Sequence, residues 1–174
     1  MWYVIQVFGG KERKVADQID NLVDPETFDR CFVPYFEVPK RYSGEWKIRK
    51  EVLFPGYVIV ETKTPESFRV ELGKISAMTR LLSSGDDEGG KKFIPLTDQE
   101  KILISALIGE DDHVMKMSEG VIEGDEVIVL KGPLMNMSGL VKKVDRHKRL
   151  AYLEVPMFGR KLQIKAGLEI VRKR

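Results

Sequence analysis

Ten side chains toward the C-terminal end carry most of the chemistry this sequence offers. Lys142, Lys143, Arg146, His147, Lys148, Arg149, Arg160, Lys161 and Lys165 are basic, and Tyr152 stands among them. Cations hold phosphate oxygens regardless of base sequence, and an exposed aromatic ring stacks on an unpaired base, so the mixture suits an RNA with bulged or single-stranded bases. Alternation over residues 150–155 sends Ala151, Leu153 and Val155 to one face and Tyr152 with Glu154 to the other. If the first set is core, Tyr152 faces out beside the basic loop. A solvated charged face without any ligand is the competing reading, because charge runs are common on small barrels. The charge distribution favours the RNA reading. Beyond Glu126 twelve Lys and Arg stand against three Asp and Glu, whereas residues 1–113 hold sixteen against twenty. A basic end joined to an acidic one points to a polyanion partner at one end only.

A second group is apolar. Phe54, Pro55, Gly56 and Tyr57 fall between two strand-like runs. Large rings there either form a face for a partner helix or fill the domain's own core, and taken on residue type alone the core is the commoner fate. A third group is the basic strip Lys40, Arg41, Lys47, Arg49 and Lys50, which reads equally as a nucleic-acid track or as an ordinary solvated hairpin.

Catalytic chemistry has little to stand on. His113 and His147 lie apart with no ligand set around them, and no carboxylate pair is placed for acid-base work. Gly9-Gly10-Lys11 follows a strand as a phosphate loop would, but Ile5 stands where that motif needs its first glycine. The expectation is therefore no enzyme, no catalytic residue, no metal and no cofactor. Cys31 is the single cysteine, which excludes an intrachain disulfide and fits a reducing cytoplasm. The longest apolar run, residues 52–60, is interrupted by Pro55-Gly56 and too short to span a bilayer. Met1 leads straight into an apolar strand with no positive leader, so no signal peptide is expected.

The elements that must position these groups follow from periodicity. A strand is predicted over 2–8, then a helix over 11–23 with Val15, Ala16, Ile19 and Leu22 inward. Runs 31–38 and 47–52 read as a hairpin around Ser43-Gly44, and 56–62 as a further strand. Pro65 opens a short helix burying Phe68 and Leu72, and residues 83–92 read as a polar surface loop. Thr97 with Glu100 forms a capping-box signature for a helix bearing Ile102, Leu103, Ala106 and Leu107, ended by Gly109. Residues 110–120 lack a period and read as a linker. Short strands over 126–130, 140–144, 150–155, 160–164 and 168–171 then suggest a small barrel.

Three runs in order, Trp2-Tyr3-Val4-Ile5-Gln6, Phe32-Val33-Pro34 and Leu53-Phe54-Pro55-Gly56-Tyr57-Val58, closely resemble the N-terminal domain of NusG-type transcription factors. Gly124-Asp125, Gly132-Pro133, Gly139 with Val141, and Phe158-Gly159-Arg160 resemble the KOW pattern. The resemblance covers nearly the whole chain and implies an α+β fold. A NusG N-terminal (NGN) α/β sandwich over 1–109 would precede a linker over 110–120 and a small all-β, SH3-like KOW barrel over 121–174.

It further implies a transcription elongation and antitermination factor, cytoplasmic and monomeric. Docking on the clamp helices of RNA polymerase would fall to Phe54, Tyr57 and Pro55, with Phe8 and Val33 at the rim. Preference for the closed clamp would suppress pausing. The same position would lay the hairpin's basic strip along non-template DNA. The barrel is more basic than in housekeeping members, which makes the chain similar to the specialised paralog LoaP, and implies capture of nascent RNA, such as a hairpin with bulged bases. A housekeeping NusG whose barrel binds proteins, and a ribosome-associated RNA-binding protein, are the alternatives.

Overall fold

The computed structural model describes residues 1–75, 79–81, 83–84, 92–93 and 95–173. In chain order its elements are β1 (Trp2–Val7), α1 (Glu12–Leu22), a 3-10 turn (Pro25–Thr27), β2 (Arg30–Phe32), β3 (Tyr35–Tyr42), β4 (Glu45–Val52), β5 (Tyr57–Glu61), α2 (Pro65–Leu72), β6 (Thr79–Leu81), β7 (Ser83–Ser84), β8 (Lys92–Phe93) and α3 (Asp98–Leu107). The chain continues through β9 (Val114–Met115), β10 (Ser118–Glu123), β11 (Glu126–Lys131), a 3-10 turn (Ser138–Leu140), β12 (Val141–Asp145), β13 (Leu150–Met157) and β14 (Arg160–Lys173). It forms two compact units, one of Met1–Val33 with Phe54–Lys101, the other of Pro34–Leu53 with Ile102–Arg174.

The first unit is built on an antiparallel sheet in the order β2-β5-β1-β6. Val4, Ile5, Val58, Ile59 and Val60 are buried, as expected of strands rich in β-branched residues with apolar cover on both sides. α1 contacts β2 and β5 and buries Val15, Ala16 and Ile19. Leu22, expected inward, is exposed, and Val23 is buried in its place at the end of the helix. α2 buries Phe68 and Leu72 as the spacing predicts. Thr97 and Glu100 close the expected capping box: the Thr97 amide donates to Glu100 Oε1 at 3.0 Å and the Glu100 amide to Thr97 Oγ1 at 3.1 Å. The inward stripe of α3 is shifted from expectation, since Ile104 and Leu107 are buried while Ile102 and Ala106 are exposed. Of the surface loop expected over 83–92, the ends pair antiparallel as β7 and β8, and residues 85–91 lie outside the described residues.

The second unit joins the β3–β4 hairpin to a five-stranded barrel sheet in the order β11-β10-β14-β13-β12. The run expected as one strand over 31–38 is two strands in two different sheets, because Pro34, with no amide to donate, interrupts the ladder between β2 and β3. Ser43 and Gly44 both adopt positive φ, 48° and 82°, and close the hairpin as the turn signal requires. The linker expected over 110–120 carries strands instead. Val114 and Met115 are buried and pair parallel with Tyr35 and Phe36, the Met117 amide donates to Glu37 Oε1 at 3.1 Å, and β10 has begun by Ser118. Two strands expected over 160–164 and 168–171 are one. β14 pairs with β13 up to Gly167 and then runs parallel to β10. The architecture is α+β, with an SH3-like barrel formed by the C-terminal strands.

Candidate functional site

The basic residues gather on the outer face of β12, β13 and β14. Ala151, Leu153 and Val155 are buried as alternation predicts, leaving Tyr152 half-buried on the opposite face. In register, Lys143 stands opposite Tyr152 on one side and Lys165 opposite it on the other. Directly paired residues share a face, so ring and cations form one cross-strand row. Lys143 Nζ lies 5.7 Å from the Tyr152 ring centroid, within cation–π range. Lys142 occupies the bulge where the β12–β13 register shifts. Lys161 is opposite Pro156, two pairs beyond Glu154, and reaches the Glu154 carboxylate at 3.7 Å. Arg160 begins β14 and is exposed.

Arg146, His147, Lys148 and Arg149 make the turn between β12 and β13. Asp145 orders it: Oδ1 accepts the Lys148 amide at 3.0 Å, and this bond, with the nearby Lys148 and His147 charges, holds the Asp145 pKa below the ordinary carboxylate value. Arg149 ends the turn at φ 55°. Its guanidinium lies 4.0 Å from the Trp46 ring centroid and 3.7 Å from Glu169. Arg146, His147 and Lys148 are exposed.

The apolar group divides. Phe54-Pro55-Gly56-Tyr57 is a type II turn: the Tyr57 amide donates to the Phe54 carbonyl at 3.1 Å and Gly56 takes φ 88°, a conformation that the third position requires and glycine adopts freely. Phe54, Tyr57 and Val33 are buried, at 1%, 6% and 5% exposure. Pro55 at the turn tip and Phe8 are exposed, Phe8 by 62%. The Val7 amide donates to the Gly56 carbonyl at 2.9 Å, so Phe8 and Pro55 sit on adjoining loops. Sequence reasoning missed the residue that joins them. Glu12, 2% exposed, accepts the Gly56 amide at 2.7 Å and the Gly10 amide at 3.0 and 3.2 Å. A glutamate just after a Gly-Gly turn was the available signal.

On the hairpin Lys40, Lys47 and Arg49 share one face with Tyr42, and Arg41 and Lys50 share the other with Trp46. Arg49 reaches both the Tyr42 hydroxyl and its ring, and Lys40 pairs with Glu51 at 3.3 Å. Among the described residues no group of three or more His, Cys, Asp or Glu is placed to hold a metal ion, and no helix is long and apolar enough to cross a membrane. Desolvation, with the Asp20 charge adding to it, pushes the Cys31 thiol pKa up, away from a nucleophilic thiolate.

An antiparallel α/β unit whose strands lead into a Phe-Pro-Gly-Tyr turn, followed by a five-stranded barrel, defines a class of two-module transcription factor, and the family comparisons agree. Residues 1–105 match the family model described as transcription termination factor nusG, and residues 123–154 match the KOW motif. The chain belongs to the NusG family. Relatives named transcription termination/antitermination protein NusG include that of Borreliella burgdorferi, 24% identical over 99% of this chain and 97% of its own. The Bacillus subtilis protein of the same name is 28% identical over 94% and 92%. The solved structure described as domain interaction in Thermotoga maritima NusG superposes with a TM-score of 0.51 at 20% identity, covering 94% of this chain and 91% of that one, a likeness of fold.

Proposed function

We propose that this chain is a cytoplasmic elongation and antitermination factor that holds RNA polymerase through its N-terminal module, about residues 1–109, and is recruited to particular transcripts by RNA bound to the barrel, 121–174. The observation that carries the reading is the in-register row Lys143, Tyr152, Lys165, an aromatic ring between two cations beside the Arg146–Arg149 turn. Phosphates bind the cations and an unpaired base stacks on the ring. On the polymerase side Phe8 and Pro55 are the accessible members of the expected set, and Phe54, Tyr57 and Val33 support them from within. Clamp helices are the partner element, and closure of the clamp is the state favoured.

In-vitro transcription through an intrinsic terminator tests both halves. Read-through should rise with the full chain, more so when an RNA hairpin with bulged bases precedes the terminator, and Phe8→Ala should abolish the rise on either template. No effect on read-through from any template would end this proposal.

A second reading has its own observation. Ile128 and Leu130 on β11, and Met135 in the segment after it, are exposed large apolar side chains. Such a surface suits a protein partner of a general NusG. Occupancy of polymerase on most transcripts, mapped by sequencing in cells, would select it over the RNA-recruited factor.

A further inference from the structure

We propose that Trp46 and Arg149 form a stacking shelf for an unpaired base, so that the RNA face continues from the barrel onto the tip of the β3–β4 hairpin. The proposal rests on the RNA-binding reading above and extends it to residues outside the KOW barrel. Every residue from Arg41 to Lys50 is exposed, so the hairpin tip has no core for an indole to fill. Trp46 nonetheless stands there, 37% exposed, with the Arg149 guanidinium 4.0 Å from its ring centroid. Arg149 is held in place by its backbone: the amide donates to the Arg146 carbonyl at 3.4 Å and its carbonyl accepts the Leu168 amide at 3.0 Å. Its φ of 55° is one that side chains other than glycine, Asn and Asp seldom adopt.

The surroundings fit a nucleotide. Arg41 stands opposite Trp46 on the same face of the hairpin. On the barrel side an open groove of about 380 Å³ is lined by Arg146, His147, Arg149, Glu169 and Ile170. A base stacked on the indole would place its phosphates toward Arg41 and Arg146. The faces of paired bases are covered by their neighbours in a duplex, so a ring of this kind selects unpaired ones. A purely apolar protein partner does not match a tryptophan flanked by Arg149 and Arg41.

Only two tryptophans are present, and Trp2 is 7% exposed, so quenching of intrinsic fluorescence reports on Trp46. The full chain is titrated at low salt with a short oligoadenylate RNA, the same sequence as DNA, an RNA duplex and an oligoglutamate peptide. Oligoadenylate should quench the emission. Its affinity should fall about tenfold in Trp46→Ala, the scale of one base–aromatic stack, and largely recover in Trp46→Phe, with melting temperatures unchanged. Equal affinity for wild type and Trp46→Ala without quenching overturns the shelf while leaving the barrel as an RNA site, since Tyr152→Ala would still weaken binding. Stronger quenching by the DNA, the duplex or the peptide overturns the choice of ligand. No RNA binding by the wild type removes the shelf and the RNA reading together.

Discussion

Glu12 Oε1 accepts the amide of Gly56 at 2.7 Å, joining the first turn of α1 to the Pro55–Gly56 turn across 44 positions of sequence. The same carboxylate takes the Gly10 amide, so one buried side chain sets the spacing of the loops that carry Phe8 and Pro55. Two backbone donors, one just before a helix N-terminus and one in a tight turn, share this one acceptor. Glu12→Ala removes the shared acceptor of a half-buried amide, Gly56, and of an exposed one, Gly10, and should cost about 1.5 to 3 kcal/mol, the scale of a hydrogen bond to a charged group. Glu12→Gln keeps one acceptor oxygen but sets an amide donor against donors, and should cost less. Urea denaturation reads both, and an unchanged midpoint in Glu12→Ala would show the contact to be incidental.

The Thr97–Glu100 box makes a smaller, separable contribution. Thr97→Ala should destabilise by about 1 kcal/mol, and Glu100→Ala added to it should cost less than the sum of the two singles, because each hydrogen bond fixes the geometry of the other. Full additivity in a double-mutant cycle would contradict a reciprocal cap.

Gly167 shows why part of the fold could not be read from sequence. A glycine between Ala166 and Leu168 reads as a strand break, yet β14 runs straight through it. A Cβ there would lie 2.5 Å from the Glu37 carbonyl oxygen and collide with Met117 Sδ, so the residue is small because β3 passes close by. Gly167→Ala should therefore cost about 1 to 3 kcal/mol, as overpacking does. It should also shift the amide resonances of Glu37 and Met117. A variant as stable as wild type, with those resonances unmoved, would place β3 farther from β14.

Other elements were legible or hidden for similar reasons. β1, α1, α2 and the capping box follow from local period and cap chemistry, and Ala151, Leu153 and Val155 from simple alternation. β10 was hidden because Ser118, Glu119 and Gly120 carry no strand signal. Beside its local hairpin with β11 it pairs with the distant β14, and the Ser118 hydroxyl accepts the Leu134 amide at 3.1 Å, contacts that no local pattern encodes. Phe54 and Tyr57 illustrate the opposite difficulty. Their type permitted either a docking face or a core, and only three-dimensional neighbours decide burial.

Asp145 predicts a pH dependence in the basic turn. Its folded pKa is below the unfolded value, so its contribution to turn order is present above the unfolded pKa of about 3.9. That contribution is lost as pH falls through the lower folded value. Protection of the Lys148 amide from hydrogen exchange should accordingly fall in acid, and Asp145→Ala should show the unprotected behaviour already at neutral pH. Equal protection in variant and wild type at neutral pH would mean the carboxylate does not order the turn.

The cross-strand row makes the last prediction quantitative. If Lys143 and Lys165 each neutralise one phosphate while Tyr152 stacks on a base between them, the cations and the ring should fail differently. Removing either lysine should weaken RNA binding across all sequences and reduce the slope of log K against log salt by about 0.7 to 0.9. Tyr152→Ala should weaken binding with the slope unchanged, because stacking releases no counterions. Tyr152→Phe should keep most of the affinity, since the ring and the Lys143 contact survive loss of the hydroxyl. Affinities measured from low to physiological salt for the four variants separate these outcomes. A Tyr152→Ala variant that lowers the slope, or a Lys143→Ala variant that does not, would mean that ring and cation do not divide base and phosphate as the register places them.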